Sequence, residues 1–229
     1  MDMTLLISHV PKTAGSSLRA LVTKFNPDTV FVYEGRELAL GNPNIEFIRS
    51  FRAVAAPRVV MGHFSYGVHR LIGTTPSYAT VLREPVERVV SFYRFQKSLP
   101  HSPFAAHFKA GISLSDFVRS EITETTNNHM CRMIAGIPPE AGLLINDQWL
   151  LDLALHNLRR HYVLVGMVEK LDLFVSEIAR WLGWGPFEIP RENQTQGDVI
   201  ELTPEDRAAV TEANRLDIAL FEHAMRNYG

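Results

Sequence analysis

The chain has one cysteine among 229 residues, no excess of either charge, and no long apolar run. A lone Cys131 has no partner for an intramolecular disulfide, so the fold is not stapled, which suits a reducing compartment and a thiol that acts as a small buried hydrophobe. No window approaches the ~18 uninterrupted apolar residues of a spanning helix, and Met1-Asp2-Met3-Thr4 lacks the basic start of a secretory signal. The expected compartment is therefore the cytoplasm, with no transmembrane segment. With 23 basic against 25 acidic residues, net −2, no global positive field attracts a polyanion, which argues against nucleic acid as a partner. The nine histidines include no H-E-x-x-H pair and no Cys/His set of zinc spacing, so no metal is expected. No repeat, low-complexity tract or linker divides the chain, and 1–229 is read as a single domain. Its 46% hydrophobic and 21% charged residues are those of an ordinary globular protein.

What is present starts at Leu5. The apolar run Leu5-Leu6-Ile7-Ser8 leads through His9-Val10-Pro11-Lys12 into Thr13-Ala14-Gly15-Ser16-Ser17 and then into a helix whose stripe is Leu18, Leu21, Val22 and Phe25. Small side chains let successive N–H groups approach an anion, the helix N-terminus adds partial positive charge, and Lys12 adds a cation. The order differs from a P-loop, G-x-x-x-x-G-K-[ST], in which the lysine follows the glycines. An ordinary strand-to-helix turn with an exposed lysine is the competing reading.

A second strand, Ser77 to Leu82, ends at Arg83, and Glu84-Pro85 opens a helix with the stripe Val86, Val89, Val90 and Tyr93. Ser91 falls on a different face from that stripe. Arg83 and Ser91 together offer a fork and a hydroxyl for a second phosphate, although a surface salt bridge from Arg83 to Glu84 or Glu87 accounts for the arginine equally well.

Together, His9 to Ser17 and Leu82 to Tyr93 resemble the two nucleotide-binding motifs of the carbohydrate sulfotransferases, closest to the branch of heparan sulfate and uronyl 2-O-sulfotransferases. Arg58 to Tyr66 resembles the family's short strand ending in Gly-His. Segments 127–132, 165–171 and 214–221 are similar to others that recur in family members in this order. The resemblance implies that Lys12, Thr13, Ala14, Gly15, Ser16 and Ser17 hold the 5′-phosphosulfate of 3′-phosphoadenosine-5′-phosphosulfate (PAPS). It assigns the 3′-phosphate to Arg83 and Ser91 and the catalytic base to His63. A loop at 191–198 would close over the nucleotide, with Asn193 and Thr195 as contacts, a solvated connector being the alternative. The animal members are Golgi proteins with an anchor and stem, so a chain starting at Met1 without them is read as a bacterial member acting inside the cell.

Strand candidates at 3–9, 29–33, 57–62, 77–82 and 161–166, separated by helical patterns, predict an α/β fold. It is a P-loop-like parallel sheet flanked by helices, with a mostly helical C-terminal half. Ligands then belong at the carboxyl ends of the strands, where His9 to Ser17, His63 and Arg83 all fall. The stripes Leu151, Ala154, Leu155, Leu158 and Leu171, Phe174, Val175, Ile178, Trp181, Leu182 predict two core-facing helices.

The predicted activity is PAPS-dependent transfer of a sulfuryl group to a hydroxyl, with Lys12 assisting the leaving oxygen and His63 taking the proton. Without the resemblance, a histidine after an apolar strand equally serves to satisfy a neighbouring backbone group. The balanced charge favours a weakly charged acceptor: a glycan, a lipid-linked sugar or a small alcohol. Rival readings are an ATP-dependent phosphotransferase, for which the usual Mg²⁺ motifs are missing, and a non-catalytic relative that binds nucleotide or a partner. Glu34 and His9 are the next candidates for the base, and His69, His101, His107 and His129 are read as surface or structural residues.

Overall fold

The computed structural model describes residues 4–32, 57–137, 146–188 and 201–229. Five short strands, β1 (Leu5–Ser8), β2 (Val30–Val32), β3 (Val59–Gly62), β4 (Tyr78–Leu82) and β5 (Tyr162–Met167), form one sheet in the order β2-β3-β1-β4-β5. Every pairing is parallel, with Leu5 opposite Val59 and Ile7 opposite Met61. Near-continuous apolar runs make such strands because both faces of the sheet are covered. All five strands lie within a residue or two of the expected positions.

Side-chain alternation sorts the strands into two cores. Leu5, Ile7, Val59, Met61, Ala79 and Val81 face α1 (Gly15–Phe25) and α8 (Leu171–Leu182), meeting Leu18, Leu21, Val22, Phe174, Val175 and Ile178. On the other face Leu6, Val60, Tyr78 and Leu82 pack with α6 (His129–Ala135), α7 (Asp147–His161) and α10 (Arg215–Tyr228). The buried stripe of α7 is Leu150, Ala154, Asn157 and Leu158, so it is turned slightly from the expected one, and Leu151 and Leu155 lie at its margin. The reason is polar: the Asn157 side chain donates to the carbonyls of Ile134 and Ala135 and closes the end of α6.

Between β3 and β4 lies the short α2 (Val68–Ile72), and after β4 comes α3 (Pro85–Ser98). Helix α3 packs Val86, Val89, Val90 and Tyr93 into a third cluster with α5 (Leu114–Arg119) and α9 (Pro204–Ala213), while α4 (Ala105–Lys109) lies at its rim. Pro85 occupies the first helical position and the Glu84 carboxylate accepts from the N–H groups of Val86 and Glu87, so α3 starts rigidly at the end of β4.

Helices α6 and α10 cap each other. The Asn128 side-chain oxygen accepts from the N–H groups of Leu216 and Asp217, and the buried Asp217 carboxylate accepts from those of Met130 and Cys131. Asn214 completes the link, accepting from the Asn128 N–H and donating to the Thr126 carbonyl. Two of the sequence segments noted for resemblance, 127–132 and 214–221, thus form a single structural knot.

Candidate functional site

Between β1 and its neighbours β3 and β4 the chain reverses its direction of winding, and in open parallel sheets this is the crevice where ligands bind. The loop after β1 fills it. Lys12 and Ala14 both have positive φ, 72° and 63°, in a region that costs side-chain-bearing residues of order 1–3 kcal/mol each. Ala14 is the N-cap of α1 and supplies no side-chain hydrogen bond, and no acidic residue sits in the first turn. The first-turn N–H groups of a helix have no intrahelical partner, so this end presents donors and positive potential. Thr13 points the other way: its hydroxyl is buried and donates to the Val10 carbonyl, which fixes the turn. Ser16 is exposed, and Gly15 and Ser17 are buried.

Lys12 leans on α3, its ammonium 3.9 Å from the centre of the Phe95 ring. Burial, and secondarily the Arg83 charge, push its pKa down. Arg83 donates to the Lys12 carbonyl at 3.4 Å and lies 3.6 Å from the Glu87 carboxylate. Of the sequence readings of this arginine, the surface ion pair with Glu87 is present, and the guanidinium also joins the two strand ends. Ser91 is only 6% exposed on α3.

His63 directly follows β3. The turn that carries it is held from both sides, since Ser8 donates to the Phe64 carbonyl at 2.6 Å and the Tyr66 N–H donates to the Met133 carbonyl of α6 at 2.8 Å. Tyr78 ties down the far end: its hydroxyl accepts from the N–H groups of Gly67 and His69 and meets His69 Nδ1 at 2.9 Å. With both lone pairs occupied, the hydroxyl proton goes to Nδ1, which makes His69 neutral. Burial lowers the His63 pKa to about 4, so its imidazole is neutral and able to accept a proton at pH 7.

Around this point several basic groups influence one another. Beyond the burial that dominates each shift, Lys12 is depressed by Arg83, Arg88 by Arg83, His129 by Arg88 and His63, and His9 by His63 and Lys12. Arg88 is 0% exposed, with one nitrogen donating to the Thr125 carbonyl and lying 3.9 Å from Asp217. A protein of net charge −2 thus brings three cations, Lys12, Arg83 and the buried Arg88, near the carboxyl ends of its central strands beside neutral histidines, which suits an anion.

Lys12, the 13–17 loop, Arg83 and His63 come together at this edge of the sheet. Glu34, Asn193 and Thr195 lie outside the described residues. Three neighbours of these residues were not singled out in the sequence reading. His129, taken there as surface or structural, is the first residue of α6 and lies within electrostatic reach of His63. Arg88 and Asp217 are buried beneath it. Their only signal was membership of segments that recur in the resembled family. Among the described residues no cluster of His, Cys, Asp and Glu has the arrangement of a metal site.

No family model matches the chain. Human heparan sulfate 2-O-sulfotransferase 1 is 23% identical over 198 residues, 76% of this chain and 53% of that protein. The proteins of the same name from Xenopus laevis and Gallus gallus are each 24% identical over 196 and 195 residues, with the same coverage. The chain spans about half the length of these curated relatives. The expectation of a cytoplasmic, bacterial protein is corrected here, because the matched relatives are animal heparan sulfate sulfotransferases, the group for which the resemblance implies Golgi residence. That expectation rested on a missing leader and a missing apolar run. No described helix is long and apolar enough to cross a membrane, yet such a lack specifies no compartment in a chain covering half of its relatives. The similarity ties this chain, distantly, to the carbohydrate sulfotransferases.

Proposed function

We propose that the protein is a PAPS-dependent sulfotransferase acting on a hydroxyl of a glycan or related alcohol. The observation that carries this reading is the convergence of Lys12 and Arg83 beside an uncapped helix N-terminus, with a neutral histidine on the adjoining strand end. The donor set fits a nucleotide with anions at two positions: the N–H groups of α1 and Lys12 for one, Arg83 and Ser91 for the other. Asn193 and Thr195 are proposed as further nucleotide contacts.

When bound, PAPS supplies an activated sulfuryl group, whose bond to a phosphate oxygen breaks as one to the acceptor oxygen forms. Lys12 stabilises the negative charge that gathers on the departing oxygen, a role in which a mobile point charge is effective. His63 takes the proton from the acceptor hydroxyl. The flanking turn restrains His63 through Ser8 and Met133, so the base is held in position by the sheet and by α6 together. The acceptor is proposed to carry little charge, since the chain as a whole has no cationic excess, with lipid-linked sugars and small alcohols within the class.

Calorimetric titration with adenosine 3′,5′-bisphosphate, alongside ATP and ADP with magnesium, tests the reading. Selective binding of the bisphosphate is expected. Preference for ATP with magnesium would favour a phosphotransferase, and bisphosphate binding without turnover on any acceptor would favour a non-catalytic relative.

A further inference from the structure

His9 has no part in the mechanism above, yet it occupies the space between the phosphate cradle and the base. Ser8 pairs with Gly62, and the His9 N–H donates to the Gly62 carbonyl at 2.8 Å. The next residues along these two parallel strands are therefore His9 and His63, side by side. Their ring centres are 4.9 Å apart and the planes are inclined at 71°, an edge-to-face contact. On its other side the His9 ring lies directly against Gly15, the first residue of α1. A Cβ at Gly15 would overlap the imidazole. Gly15 has no positive φ, so backbone conformation does not demand glycine there, whereas room for His9 does.

The titratable neighbours of the pair are Lys12, from the loop after β1, and His129 of α6, a histidine that burial holds well below its ordinary pKa and that lies beside Arg88 and Arg132. With Gly15 on one side and His63 on the other, His9 is poorly situated to receive a substrate proton. It is well situated to control the ring beside it.

We propose that His9 is a positioning residue for His63: its ring shields the inner side of the His63 imidazole from water and fixes that ring relative to the cradle, and Gly15 lacks a side chain to admit it. The proposal rests on the reading of His63 as the base. Shape and burial do the positioning, so an aromatic ring without ionisable nitrogens retains the function.

The test is an NMR pH titration of the histidine ring protons in the full chain, with bisphosphate affinity measured in parallel. In His9→Ala the His63 titration should rise from about 4 by a unit or more toward the ordinary value near 6.5, as water reaches the ring. In His9→Phe it should stay low. Given an active acceptor, kcat should fall about tenfold or more in His9→Ala with bisphosphate affinity within about threefold of the parent, and His9→Phe should recover most of the loss. Gly15→Ala approaches the same contact from the other side and should release His63 as His9→Ala does, which keeps the test decisive if one variant fails to fold. An unchanged His63 titration in His9→Ala or in Gly15→Ala, or a His9→Phe protein that behaves as His9→Ala, would overturn the proposal. Failure of the parent protein to bind the bisphosphate is a separate outcome: it removes the sulfotransferase reading, while the ring titrations still decide whether His9 controls His63.

Discussion

At the level of single residues, the proposed function divides the tasks of the site between the Lys12 cation and the His63 base. Lys12→Ala should lower kcat by about 10²–10³-fold, the range for losing one preorganised stabiliser of developing charge. A single-turnover rate near the parent value at saturating donor would remove Lys12 from the leaving-group role. His63→Ala should lower kcat by about 10²–10⁴-fold while bisphosphate affinity, measured by calorimetry, stays close to normal. The pH profile separates the two groups further. In the free protein His63 titrates at about 4, so the acid limb of kcat/KM should lie far below neutrality. Bound anionic donor favours the protonated imidazole, so the limb of kcat should lie at higher pH than that of kcat/KM. Coincident limbs would mean that His63 is not the group observed. Lys12 and His63 could be placed at strand ends in the sequence from the apolar runs before them, while the role given to His63 came from the family resemblance. His9 and Gly15 were named there as an alternative base and a cradle residue, but the contact of His9 with His63 was not legible, since it depends on which strands become neighbours.

At the level of elements, the knot between α6 and α10 is the feature that most directly supports the site. It orients the first turn of α6, which carries His129, and anchors Met133, which holds the His63 turn. Asp217→Ala would strand the fully buried Arg88 and uncap α6, and should destabilise the protein by about 3–5 kcal/mol in urea unfolding. Asn128→Ala removes an acceptor for two N–H groups of α10 and should cost about 1–2 kcal/mol. A loss below about 0.5 kcal/mol in both would show that the caps are replaced by water. The strands were legible because a short apolar run between turn residues has few alternatives in a two-sided sheet. The helical half was legible as stripes alone. The exact face of α7 was not, because a buried Asn157 reads as polar until its partners, the end carbonyls of α6, are known. The knot was less legible still, as its residues lie 86 to 89 positions apart.

At the level of the whole molecule, the fold holds several histidines below their ordinary pKa. Burial is the leading cause for His9, His63, His69 and His129, and neighbouring positive charges add to it for His9, His69 and His129. A histidine depressed in the folded state binds fewer protons there than in the unfolded chain. Its contribution is therefore intact above about pH 6.5 and is lost progressively as the pH falls toward the folded value. For His63, between about 6.5 and about 4, that loss approaches 3 kcal/mol. The thermal midpoint should accordingly fall steeply between pH 6.5 and 4.5, and a flat profile would show that these imidazoles protonate freely in place. The cations Lys12 and Arg83 carry this beyond the test tube. An anionic ligand that relieves repulsion among Lys12, Arg83 and their neighbours stabilises the folded chain by about 2.7 kcal/mol at a hundredfold excess over its Kd. Under the proposed function, chains without donor open more often and meet proteases sooner, so the cell's supply of activated sulfate would set how long each copy survives as well as how fast it works.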